Sequence, residues 1–233
     1  MAEDIFDVVD DQDRVVRQER RSVVHAQGLL HRAVHILVFN AAGQVFLQQR
    51  SSLKDQFPLR WDSSSSGHVD AGEDYDTAAV REIAEELGVP SPAVSLQPAP
   101  GPGAIDPQSG TVPQVAAAEA AAIEQSDGAG GGFPITLPPA DEEMIAYPFA
   151  AALHPLQRLF YLTACPQTGN EFVWVYRWQF EGPFSLCPRE IMGGGFYSPQ
   201  AVEEWLAASP EDFAPAFAYL WPRVLSSQQN TPL

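Results

Sequence analysis

From Leu30 to Asn40 the chain reads LHRAVHILVFN, with Arg32, Val34, Ile36 and Val38 on one side and His31, Ala33, His35, Leu37 and Phe39 on the other. A period of two predicts a β-strand. The turn residues AAG lead into QVFLQQR, a second run of strand type, so Leu30 to Arg50 reads as a β-hairpin. From Tyr75 to Leu87 the period changes. Ala78, Ala79, Ile83 and Leu87 recur at helical spacing, and Gly88 stands where a helix stops. A second alternating pair, RLFYLTAC and EFVWVYRWQF, flanks the turn PQTGN. In it Phe172, Trp174, Tyr176, Trp178 and Phe180 share a face, opposite Val173, Val175, Arg177 and Gln179. Aromatics on one strand face could stack a nucleobase, but they read as core. SPQAVEEWLAAS and PEDFAPAFAYLWPRVL carry helix-start signals followed by apolar residues three and four apart, which predicts two closing helices. No internal repeat and no regular βαβ period is visible, so the expectation is an α/β fold with a mixed sheet and helices on both faces.

Residues 97–139 break this patterning. Pro, Gly, Ala, Gln and Ser dominate, with AAAEAAA and DGAGGG in succession, and such a stretch buries too little apolar surface to offset its ordering entropy. It is expected to be a mostly disordered insertion inside one domain spanning 1–233. A linker between two domains is the competing reading, but the strand-rich part that follows is short and depends on a neighbouring sheet. The formal net charge of −17 excludes nucleic acids and anionic membranes as unaided partners. Cys165 and Cys187 have neither zinc-ligand nor disulfide-framework spacing, which points to a reducing compartment. The N-terminal MAEDIFDVVDDQD is no signal peptide, and no run of eighteen apolar residues occurs, so a cytoplasmic protein is expected.

The predicted helix concentrates the chemistry. Glu82, Glu85 and Glu86 sit at i, i+3 and i+4, which aims three carboxylates from one face at a common point. Like charges so close destabilise a bare helix and raise one another's pKa. The bland reading is a solvated acidic face. The chemical reading is a hard divalent cation, Mg²⁺ or Mn²⁺, bound together with the phosphates of a small-molecule diphosphate.

The flanks favour chemistry. Gly67, Glu73, Arg81, Glu82, Ile83, Glu85, Glu86, Gly88 and Val89 follow G-x5-E-x7-R-E-U-x-E-E-x-G-U, where U is a bulky aliphatic residue. This stretch resembles the Nudix box and departs from it nowhere. The resemblance implies an α/β/α sandwich and hydrolysis of a diphosphate linked to another moiety, most typically in a nucleoside diphosphate derivative. It implies Glu82, Glu85 and Glu86 as metal ligands, with Gly67 letting the loop backbone approach the cation. Glu86, or an acid outside the box, would be the general base, while Glu73, Arg81 and Gly88 would brace loop and helix. The acids Glu142, Glu143, Glu171 and Glu190 all remain open as an extra ligand or base.

The setting of the box, including WDSSSSGHVDAGE and PREIMGGGFYSPQAVEEW, is similar to the Nudix branch near isopentenyl-diphosphate isomerases. By that resemblance Arg50, Lys54 and His68 would contact the diphosphate, His25, His31 and His68 fall near the isomerases' metal-binding histidines, and Glu171 aligns with a catalytic Glu. The isomerases' catalytic Cys is Ser66 here, and a hydroxyl is a poor acid for protonating an alkene. The complete box and Ser66 together favour hydrolysis over isomerisation. A non-catalytic diphosphate-binding module is the third reading. His31 and His35, on one strand face, could instead simply pack with hydrogen-bonded nitrogens. The sequence leaves substrate identity and oligomeric state open.

Overall fold

The computed structural model describes residues 3–89, 92–95 and 154–228. The proposed insertion at 97–139, with Glu142 and Glu143, lies outside the described residues.

The long alternating segment forms β3 (His31–Phe39) at the centre of a mixed sheet. Its two apolar faces feed two cores. Val34, Ile36 and Val38 pack with Ala78, Ala79, Ile83 and Leu87 of the box helix, while Leu37 and Phe39 pack with Phe217, Leu220, Trp221 and Val224. A strand buried on both sides between helices is the middle layer of an α/β/α sandwich. The hairpin partner β4 (Val45–Arg50) pairs antiparallel with β3 at Val38–Phe46 and Phe39–Val45. Two short strands, β5 (Trp61–Asp62) and β6 (Ser65–His68), pair with β4 and β3 respectively. The box helix spans Tyr75–Leu87, as the periodicity predicts. After β7 (Val94–Ser95), strands β8 (Leu156–Leu162) and β9 (Glu171–Gln179) form the second hairpin, and β9 runs parallel to β3. Phe172, Tyr176 and Trp178 are buried, so the aromatic face is core.

Three features depart from or extend the sequence expectation. At the N-terminus, β1 (Ile5–Val9) and β2 (Val15–Arg20) form a separate two-stranded sheet, followed by α1 (Arg21–Gln27). The box helix is therefore α2. IMGGGFY forms β10 (Ile191–Tyr197) beside β4, where a Cβ on Gly194 would lie 2.4 Å from the Phe46 ring. Close approach of two strands explains a glycine in the interior of a strand. Finally, α3 (Pro199–Ala208) forms as expected, but the last helix does not begin at Pro210. A 3₁₀ turn ends in an extended Phe213 that bridges to Trp61, Ala214 N donates to Trp61 O at 2.8 Å, and α4 starts at Pro215 (Pro215–Gln228).

Candidate metal and diphosphate site

Helix α2 is held at both ends. The Asp74 carboxylate accepts from Thr77 N at 2.9 Å, a cap that contributes about 1 kcal/mol, and Gly88 closes the helix with φ 60°. The carbonyls of Glu86 and Leu87 accept from Cys187 N and Ser185 N, both at 2.9 Å, which ties the loop before β10 to the helix end. These anchors fix the angle at which the glutamates leave the helix.

The three carboxylates occupy two environments rather than one. Glu82 and Glu86 are buried beside the apolar stripe, whereas the Glu85 side chain is 59% exposed. Glu82 packs on Gly67 of β6, where a Cβ would lie 2.1 Å from its carboxyl carbon, so glycine alone leaves room for it. Arg81 grips Glu73 with two bonds, from Nε at 3.1 Å and Nη2 at 2.9 Å. Its Nη1 reaches Glu82 at 2.6 Å and Glu85 at 3.4 Å, and Nη2 also donates to the His68 carbonyl at 2.9 Å. Glu86 Oε2 accepts from Ser66 N at 3.0 Å and from Gln48 Nε2 at 3.4 Å. Burial, followed by the charge of Glu86, pushes the Glu82 carboxyl well above the usual range. Burial raises Glu86 as well, against the pull of Lys54 and of donors from Ser65 and Ser66. Gln48 Oε1, close to Glu86, is buried without a hydrogen-bond partner. Reluctantly ionised carboxyls and an orphaned amide oxygen make an all-oxygen donor set, which suits a hard cation such as Mg²⁺ or Mn²⁺.

A second cluster lies on the other side of Gly67. His25 of α1, His31 at the start of β3 and His68 at the end of β6 place ring nitrogens within 4.8 Å of one another. Glu171, in register with His31, brings Oε1 to 3.4 Å from His31 Nε2 and 3.1 Å from His68 Nε2. His31 Nδ1 donates to the Leu29 carbonyl at 2.9 Å, and His25 Nε2 is buried without a hydrogen-bond partner. Phe6 of β1 walls the cluster, its ring stacked 4.6 Å from that of His68. Burial, then the neighbouring imidazoles, lowers His25 to about 4 and keeps it neutral near pH 7. Burial opposes ionisation of Glu171, yet hydrogen bonds from His31 and His68 hold it well below the usual carboxylate range. Three imidazoles and a carboxylate suit a borderline ion such as Zn²⁺ or Mn²⁺.

The remaining sequence candidates are engaged within the protein. Arg50 Nη1 pairs with Asp62 at 3.0 Å, and its Nη2 donates to the Gln56 carbonyl at 3.0 Å. Lys54 pairs with Glu190. His35 does not join the histidine cluster, because its Nδ1 bonds Ser63 Oγ at 2.8 Å. Sequence reasoning passed over Phe6, Gln48 and Asp62. Within QVFLQQR nothing distinguishes Gln48 from Gln49, because only the pleat decides which of them faces Glu86.

Comparison with known proteins agrees with this geometry. Residues 29–114 match the NUDIX domain family. An uncharacterized Nudix hydrolase of Streptomyces coelicolor is 47% identical over 87 residues, which is 37% of this chain and 48% of that protein. An isopentenyl-diphosphate Delta-isomerase of Nocardia farcinica is 50% identical over 62 residues, or 27% of this chain and 35% of that one. The chain thus spans about half the length of the first curated relatives it matches. The crystal structure of DR0079 from Deinococcus radiodurans shares the fold, with a TM-score of 0.60 at 22% identity over 94% of this chain and 98% of that one. Residues 29–114 of this chain are therefore similar to the NUDIX domain, and both Nudix hydrolases and isopentenyl-diphosphate isomerases are among the chain's relatives.

Proposed function

We propose that the chain is a metal-dependent hydrolase that cleaves the diphosphate linkage of a nucleoside diphosphate derivative by attack of water on phosphorus. The observation that carries this reading is the packing of the Glu82 carboxylate into the space left by Gly67, with buried Glu86 and the orphaned Gln48 oxygen close by. Mg²⁺ or Mn²⁺ bound there would acidify the attacking water and neutralise charge on the leaving oxygen. Glu86, with one carboxyl oxygen held by Ser66 N and Gln48, keeps the other to take the proton of that water. Arg81 orients Glu82 and ties the Glu73 loop to α2. Lys54 and Arg50 supply positive charge for a diphosphate. Two free thiols, Cys165 and Cys187, support a reducing compartment such as the cytoplasm. Among the described residues no helix is long and apolar enough to cross a membrane.

The histidine cluster with Glu171 favours a second reading, an isopentenyl-diphosphate isomerase-like activity. Ser66 weighs against it, because its hydroxyl holds its proton too tightly to donate to an alkene. One assay separates the two. Hydrolysis of nucleoside di- and triphosphates, nucleotide sugars, dinucleoside polyphosphates and isopentenyl diphosphate is followed by separating the phosphomonoester, pyrophosphate and phosphate products with each cation, while double-bond migration in the last is followed in the same tubes. Cation-dependent hydrolysis products support the hydrolase. Migration without hydrolysis supports the isomerase.

A further inference from the structure

Loop 51–60 and the loop leading into β10 meet at one ion pair. Ser51 N donates to the Glu190 carbonyl at 2.9 Å, Lys54 N returns to Ser51 O at 3.2 Å, and the Lys54 ammonium bonds the Glu190 carboxylate. The second loop is clamped to the end of α2 through Cys187 N and the Glu86 carbonyl, and Glu190 N bonds Cys187 O at 3.0 Å. A fourth carboxylate is thereby held near Glu86 with a cation already on it. Arg81 is committed to Glu73, Glu82 and Glu85, which leaves Lys54 as the base that acts on Glu86. Lys54 sits on a flexible four-carbon stem and remains 23% exposed, so its ammonium can swing without refolding the loop.

We propose that Lys54 is a displaceable counter-cation, which neutralises Glu190 while the box holds no divalent ion and moves to the substrate's diphosphate on loading, freeing Glu190 as an additional carboxylate for that ion. The inference rests on the reading of the box as a divalent-cation site. Its consequence is that the wild-type site binds cation weakly until substrate arrives, because an ammonium competes for the same carboxylates. Glu190 then acts through the cation and Lys54 acts as a switch between two anions.

The test is Mn²⁺ binding alone, followed by electron paramagnetic resonance without substrate, on the wild-type Lys54 protein, Lys54→Met, Lys54→Arg and the Lys54→Met/Glu190→Gln variant, each carrying His25→Gln to remove the histidine cluster as a second Mn²⁺ site. Melting curves confirm that each variant folds, with Lys54→Gln replacing Lys54→Met if needed. The expected result is Mn²⁺ binding about fivefold tighter in Lys54→Met than with Lys54 in place, unchanged affinity in Lys54→Arg, and loss of the gain in the double variant. Equal or weaker binding in Lys54→Met overturns the proposal, as does a gain that persists without Glu190. Absence of Mn²⁺ binding in every variant, Lys54→Met included, instead overturns the reading of the box itself.

Discussion

Gly67 has the least freedom of any residue in the site. Its missing Cβ is the space that the Glu82 carboxylate fills, so Gly67→Ala must move either β6 or the glutamate. A displacement of that size at a catalytic ligand lowers kcat by about a hundredfold. The expected outcome is therefore a folded protein, by its melting curve, with weakened cation affinity and turnover down about a hundredfold. Near-normal turnover would contradict the packing argument. The box was legible in the sequence because its chemistry lies on one loop and one helix, where spacing alone brings residues together. The histidine cluster was legible only through the resemblance to the isomerase branch, which singled out His25, His31 and His68, and not through spacing. His25, His31 and His68 come from a helix and two strands, and only the register of β3 with β6 and β9 makes them neighbours. His35 has the same strand parity as His31, yet the link between β5 and β6 supplies Ser63 to it instead.

At the scale of elements, the N-terminal hairpin illustrates what alternation misses. VVRQER shows no apolar face because β2 is almost wholly exposed, and only its pairing with β1 makes it a strand. Asp13 anchors this hairpin to the domain alongside the backbone bonds from Ala71 N to Ile5 O and from Val9 N to Leu30 O. Asp13, at φ 59°, accepts from Tyr75 and Tyr161 hydroxyls at 2.9 Å each and from Arg32 Nε at 2.6 Å. Asp13→Ala leaves three donors without their partner and is expected to cost about 2 kcal/mol. Amide exchange of Ile5–Val9 should rise most, because β1 carries Phe6 to the histidine cluster. Asp13→Asn keeps the left-handed backbone and an acceptor oxygen, and should lose less. Exchange confined to other elements would show that the hairpin is anchored elsewhere. The glycine-rich β10 and the delayed start of α4 were hidden for a related reason. Both depend on a neighbouring strand, β4 in one case and β5 in the other, and local sequence does not report neighbours.

At the scale of the whole molecule, the charge of −17 and two buried carboxyls link stability to pH and cation. Glu82 and Glu86 have folded pKa values raised above the ordinary 4.5, so the folded chain holds their protons more tightly than the unfolded chain. Their favourable contribution is complete below that value and is lost as pH rises through the raised ones. A divalent cation replaces those protons. The gain in melting temperature on adding Mg²⁺ or Mn²⁺ is therefore expected to be larger near pH 8 than near pH 5, and to shrink in Glu82→Gln/Glu86→Gln. Glu171, held low, contributes in the opposite sense by losing stability as pH falls below the ordinary carboxylate range. The difference with and without cation isolates the box if Mg²⁺ is used, since imidazoles bind it poorly. A gain independent of pH would contradict the assignment of raised carboxyls to the cation site.

The most direct test of the central claim is cation-dependent hydrolysis of the substrate panel, read from the separated phosphorylated products, with wild type and Glu86→Gln side by side. The predicted result is turnover that requires Mg²⁺ or Mn²⁺ and falls by about 10²–10⁴-fold in the variant. No hydrolysis of any substrate, together with double-bond migration in isopentenyl diphosphate, would contradict it and make the histidine cluster with Glu171 the active centre.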